Sequence, residues 1–238
     1  MNARTLNAAV LSLSLTALGA SAQAQRTSAA ESPWSASIEV GPVWHHDTSH
    51  TAFHDNSNPP TVAGLAFGRD VAHLGPLLTL GVEAAWTNAG STATVREVFA
   101  TSLVTNRLHG GLIARVELWR WLTPYVRLTA GAAHLNASVE GSNGDTLTAT
   151  RWTPQGSLGA GLLLTSGRWF RGLGWPRGKL AIGVEGGYQY TLPASLDASV
   201  PAPADEQAAA DRLPAQSVPL GTLHASAAYL RITFNVRF

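Results

Sequence analysis

The amino-acid sequence predicts an all-β protein: a single antiparallel up-and-down transmembrane β-barrel of about eight strands, with ten strands as the alternative. Three observations lead to this prediction. Apolar and polar residues alternate with a period of two along eight segments, aromatic residues collect at the segment ends, and the connections alternate between short and long. The ten-strand alternative stays open because residues 92–105 could extend the neighbouring strands or add new ones.

The first 24 residues have the order of a cleavable export signal. Arg4 supplies a positive start, the apolar run from Ala8 to Leu18 is too short to span a bilayer, and small residues end the segment at Ala22-Gln23-Ala24. Cleavage after either alanine fits equally well. We expect 25–33 to be a short N-terminal periplasmic segment and 34–238 to be the barrel, located in the outer membrane.

The composition excludes several classes of protein. The chain has no Cys, so neither a disulfide framework nor an acylated N-terminal Cys is expected. The 16 Lys and Arg residues nearly balance the 15 Asp and Glu residues, so nothing indicates a nucleic-acid partner. The sequence contains no phosphate-binding glycine loop and predicts no cofactor.

The period-two alternation is clearest in the first segment, where Trp34, Ile38 and Val40 are apolar and the residues between them are polar or small. Such alternation is typical of a strand with two unlike faces. The apolar face carries no charge over about 10 residues, which is the length that crosses a hydrocarbon core at a tilt. The eight segments are 34–44, 63–68, 78–86, 108–118, 126–133, 157–165, 180–190 and 228–238.

The polar face combines charged residues with many glycines, as the narrow lumen of a small barrel requires. A charge in a lumen of low dielectric must be paired, so acids and bases on neighbouring strands should form ion pairs. The sequence leaves open whether these pairs form a plug or a gate that opens a small pore. The residues predicted to form one lumen network are Glu39, Glu83, Glu117, Glu185, Arg115, Arg127 and Arg231.

Aromatic residues lie where strands are predicted to end. Interfacial belts place amphipathic rings at those positions, whereas the core of a soluble protein would hold tryptophan in mid-strand. The residues assigned to the belts are Trp34, Trp44, Trp86 and Trp152 at strand ends, Trp119, Trp121, Trp169 and Trp175 in turns, and Tyr125, Tyr188 and Tyr190.

The connections differ in length between the two ends of the barrel. With a periplasmic N-terminus, 72–76 and 120–123 are short inner turns, and 166–178 is an unusually long one. Short inner turns and long outer loops are typical of outer-membrane barrels. Phe53 is expected to lie in the first outer loop, with no part in barrel closure. The predicted long outer loops are 45–60, 87–102, 136–151 and 192–221.

The last segment alternates Phe234 and Val236 with polar residues and stops at Phe238. With the signal, the strands and the aromatic belts, this pattern resembles the small OmpA/OmpX-type outer-membrane barrel superfamily over residues 33–238. The resemblance implies that Phe234, Val236 and Phe238 form a signal read by the barrel-assembly machinery. It also implies a monomer in contact with outer-membrane lipids, with a structural or surface-exposed role. No peptidoglycan-binding domain is expected after the barrel.

Four histidines crowd into the first outer loop: His45, His46, His50 and His54. Imidazole is an ordinary ligand for Zn²⁺ or Cu²⁺, which makes the four residues weak candidates for a metal site. Their spacing matches no fixed site, and the sequence therefore predicts no metal.

His224 and Ser226 resemble the His-x-Ser pair of the outer-membrane lipid A deacylase family, in which the histidine activates the serine for acyl transfer. The acidic partner of that family has no match, because no Asp or Glu follows Ser226. The sequence therefore predicts that the protein is not an enzyme, with a lipid A acyl hydrolase as the alternative.

Overall fold

The computed structural model describes residues 34–54, 59–95, 99–119, 121–140, 146–166, 179–199 and 217–238. The predicted export signal 1–24, the segment 25–33 and residues 167–178 of the long inner turn lie outside these ranges. No helix within the described ranges is long and apolar enough to cross a membrane.

Ten strands and one short 3-10 helix at Thr48–Ala52 form in these ranges. Residues that alternate between two environments favour strands, and the long alternating segments of the sequence account for most of them. The strands are β1 Trp34–His45, β2 Thr61–Leu74, β3 Leu78–Val95, β4 Phe99–Val116, β5 Leu122–Glu140, β6 Thr146–Ser166, β7 Lys179–Thr191, β8 Ala194–Ser199, β9 Ser217–Leu223 and β10 Ala227–Arg237.

Eight of these strands close into a ring. Each of the strands β1 to β6 pairs antiparallel with the next in sequence, β7 pairs with β10, and β10 pairs with β1. Strands β8 and β9 form a hairpin outside the ring, joined to β6 at Thr148 opposite Ser199. The predicted eight-stranded up-and-down barrel is confirmed, and the ring of ten strands does not form.

The two ends of the barrel sequence meet where the ring closes. The Trp34 N–H donates to the Phe238 carbonyl oxygen at 3.0 Å, and the Phe238 N–H donates to the Trp34 carbonyl oxygen at 2.9 Å. We call the end of the barrel that holds this pair the inner end. Closure satisfies the backbone groups that an open sheet edge would leave bare in hydrocarbon.

The outer surface of the ring is apolar and the lumen is polar. On β1, Ser35, Ser37 and Glu39 are buried in the lumen, whereas Ile38 is 57 % exposed on the outer surface. Leu128 on β5 is 56 % exposed in the same way. A continuous exposed band of this kind is the surface that a bilayer core covers, so the predicted transmembrane barrel is confirmed.

The connections at the inner end are short. Residues 75–77 join β2 to β3, and Gly75 has a φ of 71°, a left-handed conformation that glycine adopts without strain. Residues 117–121 join β4 to β5. The two predicted short inner turns are therefore present, with bounds shifted by a few residues.

Strands extend into three of the predicted long outer loops. The predicted loop 87–102 is a β-hairpin, because β3 continues to Val95 and β4 begins at Phe99. The predicted loop 136–151 is likewise occupied by the ends of β5 and β6, and 192–221 contains β8 and β9. The assignments of 87–102 and 136–151 as loops were wrong because polar residues on the outer surface were interpreted as loop, although strands in water also present polar residues outward. Residues 200–216 of the predicted loop 192–221 lie outside the described ranges.

The two faces of the long strands exchange polarity part-way along. On β3 the outward side chains change from Trp86 to Asn88 and Thr92, and on β5 they change from Leu128 to Asn136. The inward side chains change in the opposite sense, from polar Arg127 to apolar Leu135 on β5. We call the part beyond this change, formed by 88–95, 99–106, 134–140 and 146–151, the outer extension.

The outer extension has an apolar core of its own. The 3-10 helix segment and the β8–β9 hairpin fold over it, and the Thr101 hydroxyl donates to the Ala52 carbonyl oxygen at 2.5 Å. Phe53 lies in the first outer loop, as predicted, and is buried in this core. The buried residues are Phe53, Leu103, Leu135, Ala137, Ala149, Ala194, Leu196, Ala198, Leu223 and Ala225.

Candidate functional site: the lumen of the barrel

Arg127 on β5 lies at the centre of the lumen and contacts three carboxylates. Its Nη1 donates to Glu39 Oε1 at 2.5 Å. Its Nε lies 3.0 Å from Glu83 Oε1 and 3.3 Å from Glu185 Oε2. One guanidinium thus connects β5 to β1, β3 and β7 across the interior.

Arg231 on β10 completes the central cluster from the other side. Its Nη1 donates to Glu39 Oε2 at 3.0 Å, so the two oxygens of Glu39 accept from two different arginines. Its guanidinium carbon lies 4.1 Å from the centre of the Tyr229 ring, within cation–π range. Glu39 is fully buried, and this double pairing compensates the cost of removing it from water.

Two tyrosines complete the hydrogen bonding of Glu185. The Tyr125 hydroxyl donates to Oε2 at 2.9 Å, and the Tyr229 hydroxyl donates to Oε1 at 2.8 Å. Tyr125 is buried in the lumen, so its assignment to the aromatic belt was wrong. Two glycines leave space for the Tyr229 ring. A Cβ at Gly159 would lie 2.4 Å from the Tyr229 hydroxyl oxygen, and a Cβ at Gly187 would lie 2.5 Å from it.

A second cluster lies towards the inner end. Asp70 Oδ1 accepts from Arg115 Nη1 at 2.5 Å, and Asp70 Oδ2 pairs with Arg237. Glu117 reaches Arg237 only at 3.8 Å, and its side chain is 44 % exposed. Glu117 follows the last residue of β4 and therefore stands in water at the rim.

The seven residues assigned to one lumen network therefore do not form a single set. Five of them make up the central cluster, Arg115 belongs to the second cluster, and Glu117 lies outside both. Extending the alternation to Gly64, Gly68 and Asp70 would have assigned Asp70 to the lumen. Arg237 has the same parity as Arg231. Asp70 was left out because the predicted segment ended at 68, and Arg237 was left out because it stands at the end of the last segment and not in mid-strand.

The predicted assembly residues all belong to β10 or its end. Phe234 and Phe238 are exposed on the apolar outer surface, and Val236 is half-buried. Phe234 pairs with Ile38 of β1, so the segment lines the seam where the ring closes. The structure thus places these side chains towards lipid and the backbone of the segment in the closing ladder.

Three of the four histidines, His45, His50 and His54, line one cavity at the outer end, and His46 lies apart from them. The rings of His45 and His50 stack at 3.6 Å and 9°, His46 lies against Tyr188, and the cavity has a volume of about 210 Å³. Burial, followed by repulsion from Arg107, lowers the pKa of His50 to about 4, although Asp47 opposes the shift. Within the described ranges, no group of three or more His, Asp or Glu residues is arranged to hold a metal ion.

Ser226 is engaged by the backbone. Its hydroxyl accepts from the Thr191 N–H at 3.0 Å and donates to the Thr191 carbonyl oxygen at 3.2 Å. His224 is exposed, and its backbone N–H donates to the Ser49 hydroxyl at 3.3 Å. No hydrogen bond in the described part of the chain joins His224 to Ser226, so the geometry gives the deacylase-like alternative no support.

Several solved structures are similar to the chain. Ail, the attachment invasion locus protein of Yersinia pestis, is 13 % identical, with 87 % of this chain and 99 % of that chain covered and a TM-score of 0.46. Neisserial surface protein A is 10 % identical, with coverages of 86 % and 95 % and a TM-score of 0.44. The outer membrane protease OmpT of Escherichia coli is 10 % identical, with coverages of 91 % and 99 % and a TM-score of 0.48.

No protein-family profile and no curated protein matches the sequence. At these identities and TM-scores, the likeness to solved structures says nothing about activity. The barrel assignment rests on the closed hydrogen-bonded ring of this chain and on its apolar outer surface.

Proposed function

We propose that the protein is an outer-membrane β-barrel with a closed lumen that holds a folded outer extension at the cell surface. The exchange of polarity along β3 to β6 supports this proposal most directly. Apolar side chains face outward up to the exchange and face inward beyond it, as expected when the surroundings change from hydrocarbon to water. The outer extension is then the part of the protein that meets the outside, in a structural or surface-exposed role.

The contacts in the lumen favour a plug over a gated pore. Arg127, Arg231 and their three carboxylate partners link five of the eight ring strands, and all the contacts are between 2.5 and 3.3 Å. An open state would have to separate buried charges without new partners, which costs several kcal/mol for each ion. A plug keeps the buried ion pairs together and therefore avoids this cost.

Cysteine labelling tests the location and orientation, because the natural chain contains no Cys. We expect Thr150→Cys, on the outer extension, to react in intact cells with a maleimide–polyethylene glycol too large to pass through porins. Pro76→Cys, at the inner β2–β3 turn, should react only after the outer membrane is permeabilised. Leu128→Cys should stay unlabelled in both conditions. Labelling of Leu128→Cys in intact cells would contradict the membrane location.

Planar-bilayer recordings test the closed lumen. We expect the purified protein to produce no stepwise conductance, because the central cluster occupies the interior. Replacing the cluster with small side chains in Glu39→Ala/Arg127→Ala/Arg231→Ala should create conducting openings. Stepwise conductance of the natural protein, unchanged by these substitutions, would instead favour a pore elsewhere.

Deletion of Phe238 tests the proposed assembly signal and closure. The deletion removes both backbone hydrogen bonds to Trp34 and one apolar ring, so less barrel should reach the membrane and more protease-sensitive chain should remain in the periplasm. Phe238→Ala keeps the backbone and separates the two contributions. Phe99→Ala is the control, because Phe99 is an exposed ring at the start of β4, outside the seam. Equal membrane yields for the natural protein, the Phe238 deletion, Phe238→Ala and Phe99→Ala would contradict the proposal.

A further inference from the structure

Arg107 is a buried cation without a partner in the described part of the chain. It lies on the lumen face of β4 and is 2 % exposed. Its Nε and Nη1 make no hydrogen bond there. Because an uncompensated charge is costly to bury, something outside the described side chains has to neutralise it or solvate it.

The ion pairs of the lumen leave the same residue out. Four arginines of the lumen and its inner end pair with carboxylates: Arg115, Arg127, Arg231 and Arg237. Arg107 makes no ion pair within the described ranges, so its single positive charge is the unmatched one at its own position in the lumen.

Other hydrogen-bonding groups buried in the lumen also lack a partner within the described ranges, and one of them is beside Arg107. Thr87 pairs with it in the β3–β4 ladder and is fully buried, and the Thr87 hydroxyl makes no hydrogen bond within the described ranges. His109 lies two residues further along the same face of β4, and its Nδ1 also has no hydrogen-bond partner within the described ranges. Gln189 of β7 has an unpartnered Nε2. All of these groups can donate a hydrogen bond, and that chemistry suits an anion.

A cavity lies at the outer end of the barrel. The cavity of about 210 Å³ is lined by His45, His50 and His54, and both ring nitrogens of His50 lack partners in the described part of the chain. Arg107 lies close enough to influence His50 electrostatically. Asp47 also lines this cavity, but its carboxylate accepts from the Ser49 N–H at 2.7 Å and stands in water, where its charge is screened.

We propose that the lumen binds one small monovalent anion, a halide, on the guanidinium of Arg107. A monovalent ion neutralises the single unmatched charge, whereas a phosphate dianion would leave an excess negative charge in the same low-dielectric space. The Thr87 hydroxyl, beside Arg107 in the ladder, supplies a second donor. The site is separate from the central ion-pair cluster.

Bromide serves as the probe, in crystals of the refolded full-length mature protein. We expect an anomalous peak within hydrogen-bond distance of the Arg107 guanidinium, absent in Arg107→Gln and kept in Arg151→Gln, which changes an exposed arginine of β6. A carboxylate of the chain itself seated on Arg107, or only water there, would overturn the proposal. A peak that forms only at very high bromide concentration, without the stability effect below, would mean an adventitious ion only and would also overturn it.

Thermal unfolding measured by heat-modifiable electrophoretic mobility gives an independent readout. Because a ligand stabilises the state that binds it, the unfolding midpoint of the natural protein should rise when sodium gluconate is replaced by sodium bromide at constant ionic strength. Arg107→Gln should show no such rise and should be the more stable protein without bromide, since it lacks the unmatched charge. Equal bromide responses in the two proteins would contradict the assignment.

Discussion

Replacing Arg127 with methionine is expected to cost on the order of 3–5 kcal/mol of unfolding free energy, the range found when one partner of a buried ion pair is removed. Methionine keeps the apolar part of the side chain but leaves Glu83 without its only direct salt bridge among the described residues. Glu39 keeps only Arg231, and Glu185 keeps only its two tyrosines. Urea unfolding in lipid vesicles, followed by tryptophan fluorescence, measures the loss.

Two further variants make this result specific. Arg151→Met removes an exposed arginine of the outer extension and should change the stability by no more than about 0.5 kcal/mol. Adding Glu83→Gln to Arg127→Met should recover part of the loss, because Glu83 is the carboxylate that Arg127→Met leaves without a salt bridge and the two residues are in direct contact. A loss in Arg127→Met no greater than that in Arg151→Met would show that the central cluster contributes little to stability.

An arginine introduced at Leu128 is expected to cost about 2–4 kcal/mol, the range for a cation near the middle of a bilayer on the lipid face of a barrel. Leu128 is 56 % exposed on the apolar outer surface of β5, and its register partners Leu112 and Leu158 are equally apolar. Without lipid, such an exposed position would tolerate the change. The same vesicle-based unfolding experiment measures the effect.

Asn136→Arg is the matched control on the same strand and the same outward face. Asn136 lies beyond the exchange of polarity, so its arginine should remain in water and the stability should change by no more than about 0.5 kcal/mol. Comparing the two variants therefore tests where the hydrocarbon ends along β5. Equal costs at both positions would mean that the boundary assigned from the side-chain pattern is wrong.

Much of the barrel could be predicted because neighbouring residues in a strand face opposite sides. Glu39, Arg127, Glu185 and Arg231 were assigned to the lumen from parity alone, and the structure places all four there. The position of a residue in the alternating pattern predicts which face of the strand it occupies. It does not predict its position along the barrel axis, its interaction partner or the residue at which the strand ends. For this reason Glu117 was included in the network although it stands at the rim, and Asp70 and Arg107 were not included.

The outer extension shows that alternation along a strand does not reveal whether a face meets lipid, water or a protein core. Its polar outward residues, such as Asn88 and Thr92, look like loop residues as long as every strand is assumed to face lipid. In the structure the same period of two continues, and only the surroundings of the two faces are exchanged. Phe53 could not be recognised as a core residue because Leu103, Leu135 and Leu196, with which it packs, come from β4, β5 and β8.

The sequence by itself determined the all-β class, the order of the strands in the barrel and the faces of most residues, and it left eight and ten strands open. These are local properties, since they depend on alternation within a strand and on the length of each connection. Only the tertiary structure decided which charges pair, which charge is left unpaired, and that the outer hairpins share a core. These features depend on closure of the ring, which brings residues far apart in sequence, such as Glu39 and Arg231, within 3.0 Å of each other.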